Sequence, residues 1–384
     1  MKMKIVLAPD SFKGSLSALE VCQAMETGIR RVKGEAEIIS VPMADGGEGT
    51  VRSLVDATGG RIITRMVTGP LGDQVEAFFG ITGDGETAVI EMAAASGLPL
   101  VPQNKRDPRI TTTFGTGELI IAALDEGCKK IIIGIGGSAT NDGGAGMAQA
   151  LGYRFLDEQG RDLPFGGAAL KHLARIDSSG KDPRLSDLTV IAACDVTNPL
   201  TGPDGASAIY GPQKGATPEM VRELDEALSI FAQVVKEELG MEVADLPGSG
   251  AAGGLGAGLV TFLQAQLEPG VKIISEAVAL RDKMAGADLV LTGEGRIDGQ
   301  TIKGKTPIGV ARVAKTREIP VLAVAGSIGS GAELLYEQGI DGMIAIVDRP
   351  MTLEEAIASA DELVSLATER IIRAFLSGKR SSCK

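Results

Sequence analysis

Residues 131–151 combine an apolar run with a loop rich in glycine, hydroxyl, amide and carboxylate groups. The segment is IIIGIGGSATNDGGAGMAQAL, and small residues typical of a helix follow the loop. A strand, a glycine-rich loop and a helix N-terminus form a common anion site, because unpaired backbone N–H groups converge there and the helix dipole favours negative charge. The pattern predicts a phosphate cradle. A tight connection that needs glycine at positive φ is the simpler alternative.

The same loop matches known nucleotide-binding patterns only loosely. Within this loop the P-loop pattern GxxxxGK[ST] is absent, but Gly134, Gly136 and Ala139 satisfy G-x-G-x-x-G/A, and Asp157 lies about where a ribose-binding acid would be. A lone match of this kind is weak evidence for a dinucleotide site. Asp142 is equally well placed to act as a helix cap. A dinucleotide site therefore stays open beside the phosphate cradle.

A second polar segment, AACDVTNPL at 192–200, follows an apolar run. Asp195 comes directly after the run, and Asn198 precedes a proline that prevents helix continuation. A carboxylate at a strand end, beside an amide, can bind a divalent cation or accept a proton from a hydroxyl. An Asx turn is the alternative.

Two further segments are candidates for ligand binding. TGEGRIDGQTIKGKTP at 292–307 alternates acids with Arg296, Lys303 and Lys305, which suits a metal, a phosphate chain and a small anion held side by side. PGSGAAGGLGAGL at 247–259 forms either a second phosphate cradle or a closely packed helix. The single histidine, His172, lies in a charged segment, so no hydrolytic triad can be built around it.

The two ends of the chain alternate strands and helices, which predicts one parallel sheet. Capping boxes at Ser17/Glu20 and Thr352/Glu355 mark two helix starts, and Thr306 is the expected cap of another. The expected strands are 3–8, 36–41, 288–292, 321–325 and 343–347. In between, RIITRMVT, QVEAFFGIT and TAVIEMA are linked by short Gly/Asp turns, which indicates an antiparallel meander.

The fold class expected is α/β with two domains. Residues 1–60 together with 286–384 form a discontinuous, doubly wound parallel sheet, and residues 61–285 form an inserted mixed α/β domain. Ligands in open α/β sheets collect outside the carboxyl ends of the strands, and four successive loops bring polar groups there. These groups are Asp10, Ser11 and Lys13; Asp45, Gly46, Gly47 and Glu48; Gly293, Glu294, Gly295, Arg296 and Asp298; and Gly326 and Ser327.

Composition excludes several functional classes. With a formal net charge of −12, no Trp and only 3 Tyr, the 384-residue chain offers neither a basic face nor a stacking platform for nucleic acid. The 52 glycines follow no Gly-X-Y period. Four widely spaced cysteines argue against a disulfide framework and a thiolate metal site, and no segment has the length of a membrane span. A cytoplasmic protein that is not exported is expected, with the oligomeric state open, a homodimer included.

Many long motifs occur in order along the chain: APDSFKGSLSA, PMADGGEGT, IEMAAASGL, TTTFGTGELI, IGGSATNDGGAGMAQALG, ACDVTNPL, GPQKGA, PGSGAAGGLGAGL and LTGEGRIDGQTIKGKTP. With them the sequence resembles the bacterial glycerate kinases that act in glyoxylate and galactarate/glucarate breakdown. The resemblance runs from Lys4 to about Phe375. It implies ATP- and Mg²⁺-dependent phosphorylation of (R)-glycerate to 2-phosphoglycerate, and a flavodoxin- or Rossmann-like domain with an inserted α/β domain.

We assign site roles within that expected reaction. Glycerate needs a fixed cation and hydrogen-bond donors for its carboxylate, for which we select Ser11 and Lys13, with Arg296 and Asn198 as further substrate contacts. The phosphates of ATP are expected against the glycine-rich loop, with Lys303 reaching the transferred group, in a cleft between the two domains. The loop positions are Gly136, Gly137, Ser138, Thr140 and Asn141.

Carboxylates are expected to hold the metal and receive the proton of the acceptor hydroxyl. Asp45, Glu294 and Asp195 are the candidate Mg²⁺ ligands, and the sequence leaves the base open between Asp195 and Asp10. The alternative functions are an NAD-dependent 2-hydroxy acid oxidoreductase and a non-catalytic nucleotide-binding module.

Overall fold

The computed structural model describes residues 2–381, apart from the side chains of Lys303 and of residues 379–381. The strands are β1 Lys4–Pro9, β2 Glu37–Ser40, β3 Arg61–Thr68, β4 Gln74–Ile81, β5 Thr87–Glu91, β6 Lys130–Gly134, β7 Arg154–Leu156, β8 Arg175–Asp177, β9 Thr189–Ala193, β10 Gln266–Glu268, β11 Leu289–Ile297, β12 Val321–Ile328 and β13 Gly342–Ala345. The predicted α/β class is confirmed.

Helices of very different lengths connect these strands. They are α1 Ala18–Arg30, α2 Thr50–Thr58, α3 Ala93–Ser96, α4 Phe114–Asp125, α5 Ala145–Ala150, α6 Ala206–Tyr210, α7 Pro218–Leu239, α8 Ala251–Leu263, α9 Gly270–Ala277, α10 Leu280–Lys283, α11 Thr306–Lys315, α12 Leu353–Ala358 and α13 Ala360–Ser381. Short 3₁₀ turns include Pro212–Lys214, Thr301–Lys303 and Ala332–Gln338. No helix in the described part of the chain is both long and apolar enough to cross a membrane.

The chain divides into two compact units. The first contains the residues up to Asp45, Arg52–Thr58 and the chain from Val271 onward, and the second contains Gly46–Val51 and Gly59–Gly270. Residues 271–285, which the sequence pattern places in the inserted domain, thus group with the first unit. Val271 lies so close to Gly309 of α11 that a Cβ at Gly309 would be 2.1 Å from a Val271 methyl group. This packing ties α9 to the first unit.

The first unit contains a five-stranded parallel sheet in the order β13-β12-β11-β1-β2. Pro9 of β1 pairs in register with Gly293 of β11, so Asp10 and Glu294 follow at the same edge. Both predicted capping boxes, at Ser17 and Thr352, are present.

Two local expectations for the first unit are wrong. β11 continues to Ile297 instead of ending at residue 292, because Arg296 and Ile297 go on pairing with β12. The helix at 306 has Lys305 as its N-cap. Thr306 does not cap it, since its hydroxyl donates to Asp10 instead.

The second unit contains a mixed six-stranded sheet in the order β10-β9-β6-β5-β4-β3. Strands β3, β4 and β5 pair antiparallel, whereas β5, β6, β9 and β10 pair parallel. The predicted meander is therefore confirmed. Thr217 and Pro218 open α7, with the Thr217 side chain accepting from the N–H of Met220.

Candidate active site

Asp10 lies almost fully buried at the carboxyl end of β1. Its Oδ1 accepts the Ser11 N–H at 2.6 Å, and its Oδ2 accepts the Thr306 hydroxyl at 2.6 Å. Burial, followed by repulsion from Asp45, raises the pKa of Asp10 to about 6, although these hydrogen bonds and the charge of Lys13 oppose the shift. A carboxyl group with such a pKa can exchange a proton near neutral pH.

Glu294 of β11 is the second buried acid of this edge. Its oxygens accept the Thr301 hydroxyl at 2.6 Å and the Lys305 ammonium at 3.3 Å. Burial raises the pKa of Glu294, and repulsion from Asp45 adds to the increase. Asp45 thus acts electrostatically on both buried acids.

The predicted cations of the first unit differ in how they are held. Lys13 is exposed, and its charge lowers the pKa of Asp10. Arg296 is also exposed and pairs with Asp298 at 3.0 Å. The side chain of Lys303 lies outside the described residues. Among the residues that the structure describes, no group of three or more His, Cys, Asp or Glu side chains is arranged to hold a metal ion.

The glycine-rich loop between β6 and α5 exposes only its tip. Gly136 and Gly137 are exposed, whereas Ser138 is 7% exposed and Thr140 and Asn141 are fully buried. The Asn141 amide donates to Ser207 at 3.0 Å. The Oγ1 of Thr140 and the Oδ1 of Asn141 have no hydrogen-bond partner. The exposed tip is therefore the part of the loop that a ligand reaches directly.

Asp142 occupies the helix N-terminus that the sequence offers as an anion site. Its carboxylate is buried and accepts the N–H groups of Gly144 and Gly146 at 3.2 and 3.3 Å, as well as the N–H and hydroxyl of Thr113. Burial raises the pKa of Asp142, although these hydrogen bonds act to lower it. The N-cap position of α5 is Gly144, so Asp142 takes N–H groups of the first turn from two residues before the cap. A phosphate at this loop must contact the tip, because the carboxylate already takes the N–H groups of the helix.

Lys214 is buried against the glycine-rich loop and is not among the predicted site residues. Its Nζ donates to the Ser138 Oγ at 2.7 Å and to the Thr140 carbonyl at 2.6 Å, directly behind the loop. Burial lowers the pKa of Lys214 to about 7, while the charge of Asp142 acts in the opposite direction. The only sequence signal was the GPQKGA motif, in which a lysine lies between two glycines.

The glycines at 253–258 serve close packing. The residues at 252–254 have left-handed backbone angles at the start of α8. A Cβ at Gly253 would lie 1.9 Å from the Thr140 carbonyl oxygen, and one at Gly258 would lie 2.5 Å from the Gly143 carbonyl oxygen. Of the two alternatives for this segment, the structure favours close contact with the glycine-rich loop.

Asp195 and Asn198 lie on the loop that follows β9. Asp195 is exposed, and its Oδ1 accepts the Gly270 N–H at 3.0 Å. Both ends of the Asn198 amide are engaged, because Nδ2 donates to the Asp204 carbonyl at 2.8 Å and Oδ1 accepts the Tyr210 hydroxyl at 2.7 Å. These contacts stabilise the loop. A substrate contact by Asn198 stays a prediction.

The comparisons with known proteins cover nearly the whole chain. The model of the Glycerate kinase family matches residues 5–376. The chain belongs to the glycerate kinase family. The glycerate kinase of Bacillus subtilis (strain 168) is 59% identical over 360 residues, which span 94% of each chain. The glycerate 2-kinase of Escherichia coli (strain K12) is 53% identical over 380 residues, covering 99% of this chain and 100% of the relative.

A solved structure agrees with the family assignment. The crystal structure of a protein given the name glycerate kinase 2, from Salmonella typhimurium LT2, has a TM-score of 0.92 and 54% identity, covering 99% of this chain and 100% of that one. The chain is thus a glycerate kinase by family, a phosphate-transferring enzyme, and this family implies ATP as co-substrate.

The structure offers no support for the dinucleotide alternative. In that fingerprint the acidic residue follows a strand of the same parallel sheet as the glycine-rich loop. Here β7, which precedes Asp157, pairs with β8 in a separate two-stranded sheet. Asp157 itself is paired with exposed Arg161.

Proposed function

We propose that this glycerate kinase transfers the terminal phosphoryl group of ATP to the 2-hydroxyl of (R)-glycerate. The observation that carries the proposal is the similarity to the Escherichia coli glycerate 2-kinase over essentially both full lengths. Phosphoryl transfer depends on positioning and charge stabilisation, and it needs a carboxylate to receive the acceptor's proton. Buried acids and an exposed glycine tip match these requirements.

Asp10 is the base in this proposal. Its pKa of about 6 leaves it ionised at neutral pH and still basic enough to take a proton. Asp195 is exposed and shows no comparable burial, so it is the weaker of the two candidates that the sequence leaves open. Ser11 and Lys13, with Arg296, are proposed to bind the glycerate carboxylate.

Mg²⁺ usually takes one or two carboxylates together with substrate phosphates and water, so two of these acids would suffice for it. The supporting observation is the repulsion from Asp45 that raises the pKa values of Asp10 and Glu294, since a divalent cation would relieve it. We propose Asp45 and Glu294 as ligands, with Asp195 as a further candidate. When bound, Mg²⁺ would neutralise phosphate charge during transfer.

The exposed loop tip is proposed to bind the ATP phosphates. Gly136 and Gly137 leave the backbone open to a phosphate, and Ser138 adds a hydroxyl beside them. Thr140 and Asn141 are buried, so we assign them to the support of the loop rather than to direct contact. Lys303 is proposed, as before, to reach the transferred phosphoryl group.

We also propose a cytoplasmic location, and we leave a homodimer open. The described cysteines Cys22, Cys128 and Cys194 are free thiols. Burial raises the pKa of Cys22 to about 12. Free thiols in a structural environment are typical of reducing compartments.

Product analysis by phosphorus NMR tests the reaction. Wild-type enzyme with ATP, Mg²⁺ and (R)-glycerate is expected to give 2-phosphoglycerate, with ADP released in equal amount. A matched reaction with excess EDTA is expected to stop both signals. Formation of 3-phosphoglycerate would correct the regiochemistry, and ADP release that is independent of glycerate would contradict the kinase proposal.

Thr306→Val tests the role of Asp10 through pH dependence. The Thr306 hydroxyl lowers the pKa of Asp10, so its removal should raise that pKa further. The acid limb of the kcat/KM profile is then expected to move to higher pH, by about 0.5–1 unit for one lost hydrogen bond. Thr306→Ser, which keeps the hydroxyl, is the control and should leave the limb in place. An unchanged limb in Thr306→Val would argue against Asp10 as the titrating base.

A further inference from the structure

The GPQKGA segment places a lysine behind the glycine-rich loop. A short 3₁₀ turn, Pro212–Lys214, ends at Gly215, whose φ of +96° suits glycine. A Cβ at Gly215 would also lie 2.5 Å from the Arg106 carbonyl oxygen. The turn is closed by the Ala216 N–H, which donates to the Gly211 carbonyl at 3.0 Å. The two glycines thus fix the direction in which Lys214 leaves the backbone.

The contacts of Lys214 constrain the Ser138 hydroxyl. An ammonium group has three N–H donors and no acceptor. One of them donates to the Ser138 Oγ and another to the Thr140 carbonyl. In the protonated state, which the charge of Asp142 favours, Lys214 cannot accept, so the hydroxyl hydrogen of Ser138 points to another acceptor. Ser138 directly follows the exposed tip residue Gly137.

We propose that Lys214 is a positioning residue of the ATP site, which directs the Ser138 hydroxyl hydrogen toward a phosphate oxygen and fixes the loop below Gly136 and Gly137. The inference rests on the proposed function, since it takes the loop tip as the phosphate-binding element. Lys214 is 1% exposed, so it acts through Ser138 rather than by direct contact with solvent-borne substrate.

The surroundings of Lys214 agree with a role beyond packing. Two buried polar atoms of the same loop, the Thr140 Oγ1 and the Asn141 Oδ1, have no hydrogen-bond partner. Buried Asp142 supplies an attractive charge to Lys214. An apolar side chain of similar length would fill the same space without such an electrostatic arrangement. The loop therefore keeps a polar interior directly beneath an exposed surface.

Binding of ATP without glycerate, measured by calorimetry, tests the proposal apart from turnover. Lys214→Met and Ser138→Ala are each expected to weaken ATP binding about tenfold or more, the size expected for a hydrogen bond to a charged group. The KM for glycerate should stay within about twofold. The double variant should bind ATP no more than about threefold less tightly than Lys214→Met, since both changes remove one coupled contact. Lys236→Met, at an exposed lysine of α7, is the matched control.

Hydrogen exchange provides a readout that does not depend on ATP. Amides of residues 135–141 are expected to exchange faster in Lys214→Met than in wild type, and at the wild-type rate in Lys236→Met. If Lys214→Met fails to fold, Ser138→Ala and Ser138→Thr test the proposal instead. Only threonine keeps a hydroxyl at this position, so Ser138→Thr should bind ATP more tightly than Ser138→Ala.

Wild-type ATP affinity in Ser138→Ala, or in a folded Lys214→Met with a lowered melting temperature, overturns the proposal and leaves Lys214 with a purely structural role. Failure of the proposed function has a different signature. Wild-type enzyme would then bind ATP without releasing ADP when glycerate is added.

Discussion

Asp10→Asn is expected to lower kcat by about 10²-fold or more and at the same time to raise the melting temperature near pH 7.5. The loss of rate follows from the removal of the proposed base. The gain in stability follows from burial, because the folded protein pays a desolvation cost for holding this carboxylate in its charged form. An asparagine fills nearly the same volume without a charge, although it loses part of the hydrogen bonding to Ser11 and Thr306.

The sign of the stability change can be derived from the pKa. The pKa of Asp10 is raised from 3.8 to about 6 in the folded state, so the folded protein binds this proton more tightly than the unfolded chain. The stabilisation that the protonated group provides is complete below about pH 4 and is lost as pH rises through about 6. A difference of about two units corresponds to at most about 3 kcal/mol. The gain in stability from Asp10→Asn should therefore be largest above pH 6 and small at pH 4.

Melting curves at pH 4 and pH 7.5 check this prediction together with steady-state rates. Since about 1 kcal/mol corresponds to about 2–4 °C in domains of this size, a gain of several degrees is expected at pH 7.5. Asp162→Asn is the control, because Asp162 is an exposed carboxylate paired with Arg154. A rate within about threefold of wild type in Asp10→Asn would exclude a base worth the usual 10²-fold. A gain in stability without loss of rate would make Asp10 a structural acid only.

The sequence was sufficient to predict which groups gather at the edge of the parallel sheet. Alternating strands and helices predict that the segments after residues 8, 41 and 292 share an edge. Asp45 interacts electrostatically with both Asp10 and Glu294, although Glu294 lies within β11, which continues to Ile297. This prediction succeeds because a parallel sheet aligns the carboxyl ends of its strands whatever the connections are.

Contacts between distant segments could not be predicted in the same way. Thr306 looked like a helix cap, but Asp10, 296 residues away in sequence, takes its hydroxyl. Lys214 lies in what local pattern alone describes as a glycine-containing turn, and its burial against Ser138 depends on a contact across 76 positions. Local propensity carries no information about such partners. The segment at 131–151 was ambiguous for a related reason, since its pattern fits either a phosphate cradle or a tight connection until the surroundings of the loop are known.

Gly253→Ala is expected to be among the most destabilising single-methyl additions in the second unit. Gly253 has a φ of +72°, and an added Cβ would lie 1.9 Å from the Thr140 carbonyl oxygen and 2.7 Å from the Asn141 Cα. The left-handed conformation costs alanine roughly 1–2 kcal/mol. The overlap with backbone atoms cannot be relieved by a rotamer change, so the loop must move, which adds about 1–3 kcal/mol or more.

Gly240→Ala separates these two costs. Gly240 has a nearly equal φ of +70°, and nothing lies within 4 Å of its added Cβ. Its variant should lose only about 1–2 kcal/mol, from the backbone conformation alone. We expect a melting temperature lowered by a few degrees in Gly240→Ala and by at least about twice as much in Gly253→Ala. ATP binding should weaken only in Gly253→Ala, because only this change displaces the loop that carries Thr140. Equal losses in the two variants would mean that the contact between α8 and the glycine-rich loop yields easily, and the loop would then not be a rigid phosphate-binding element.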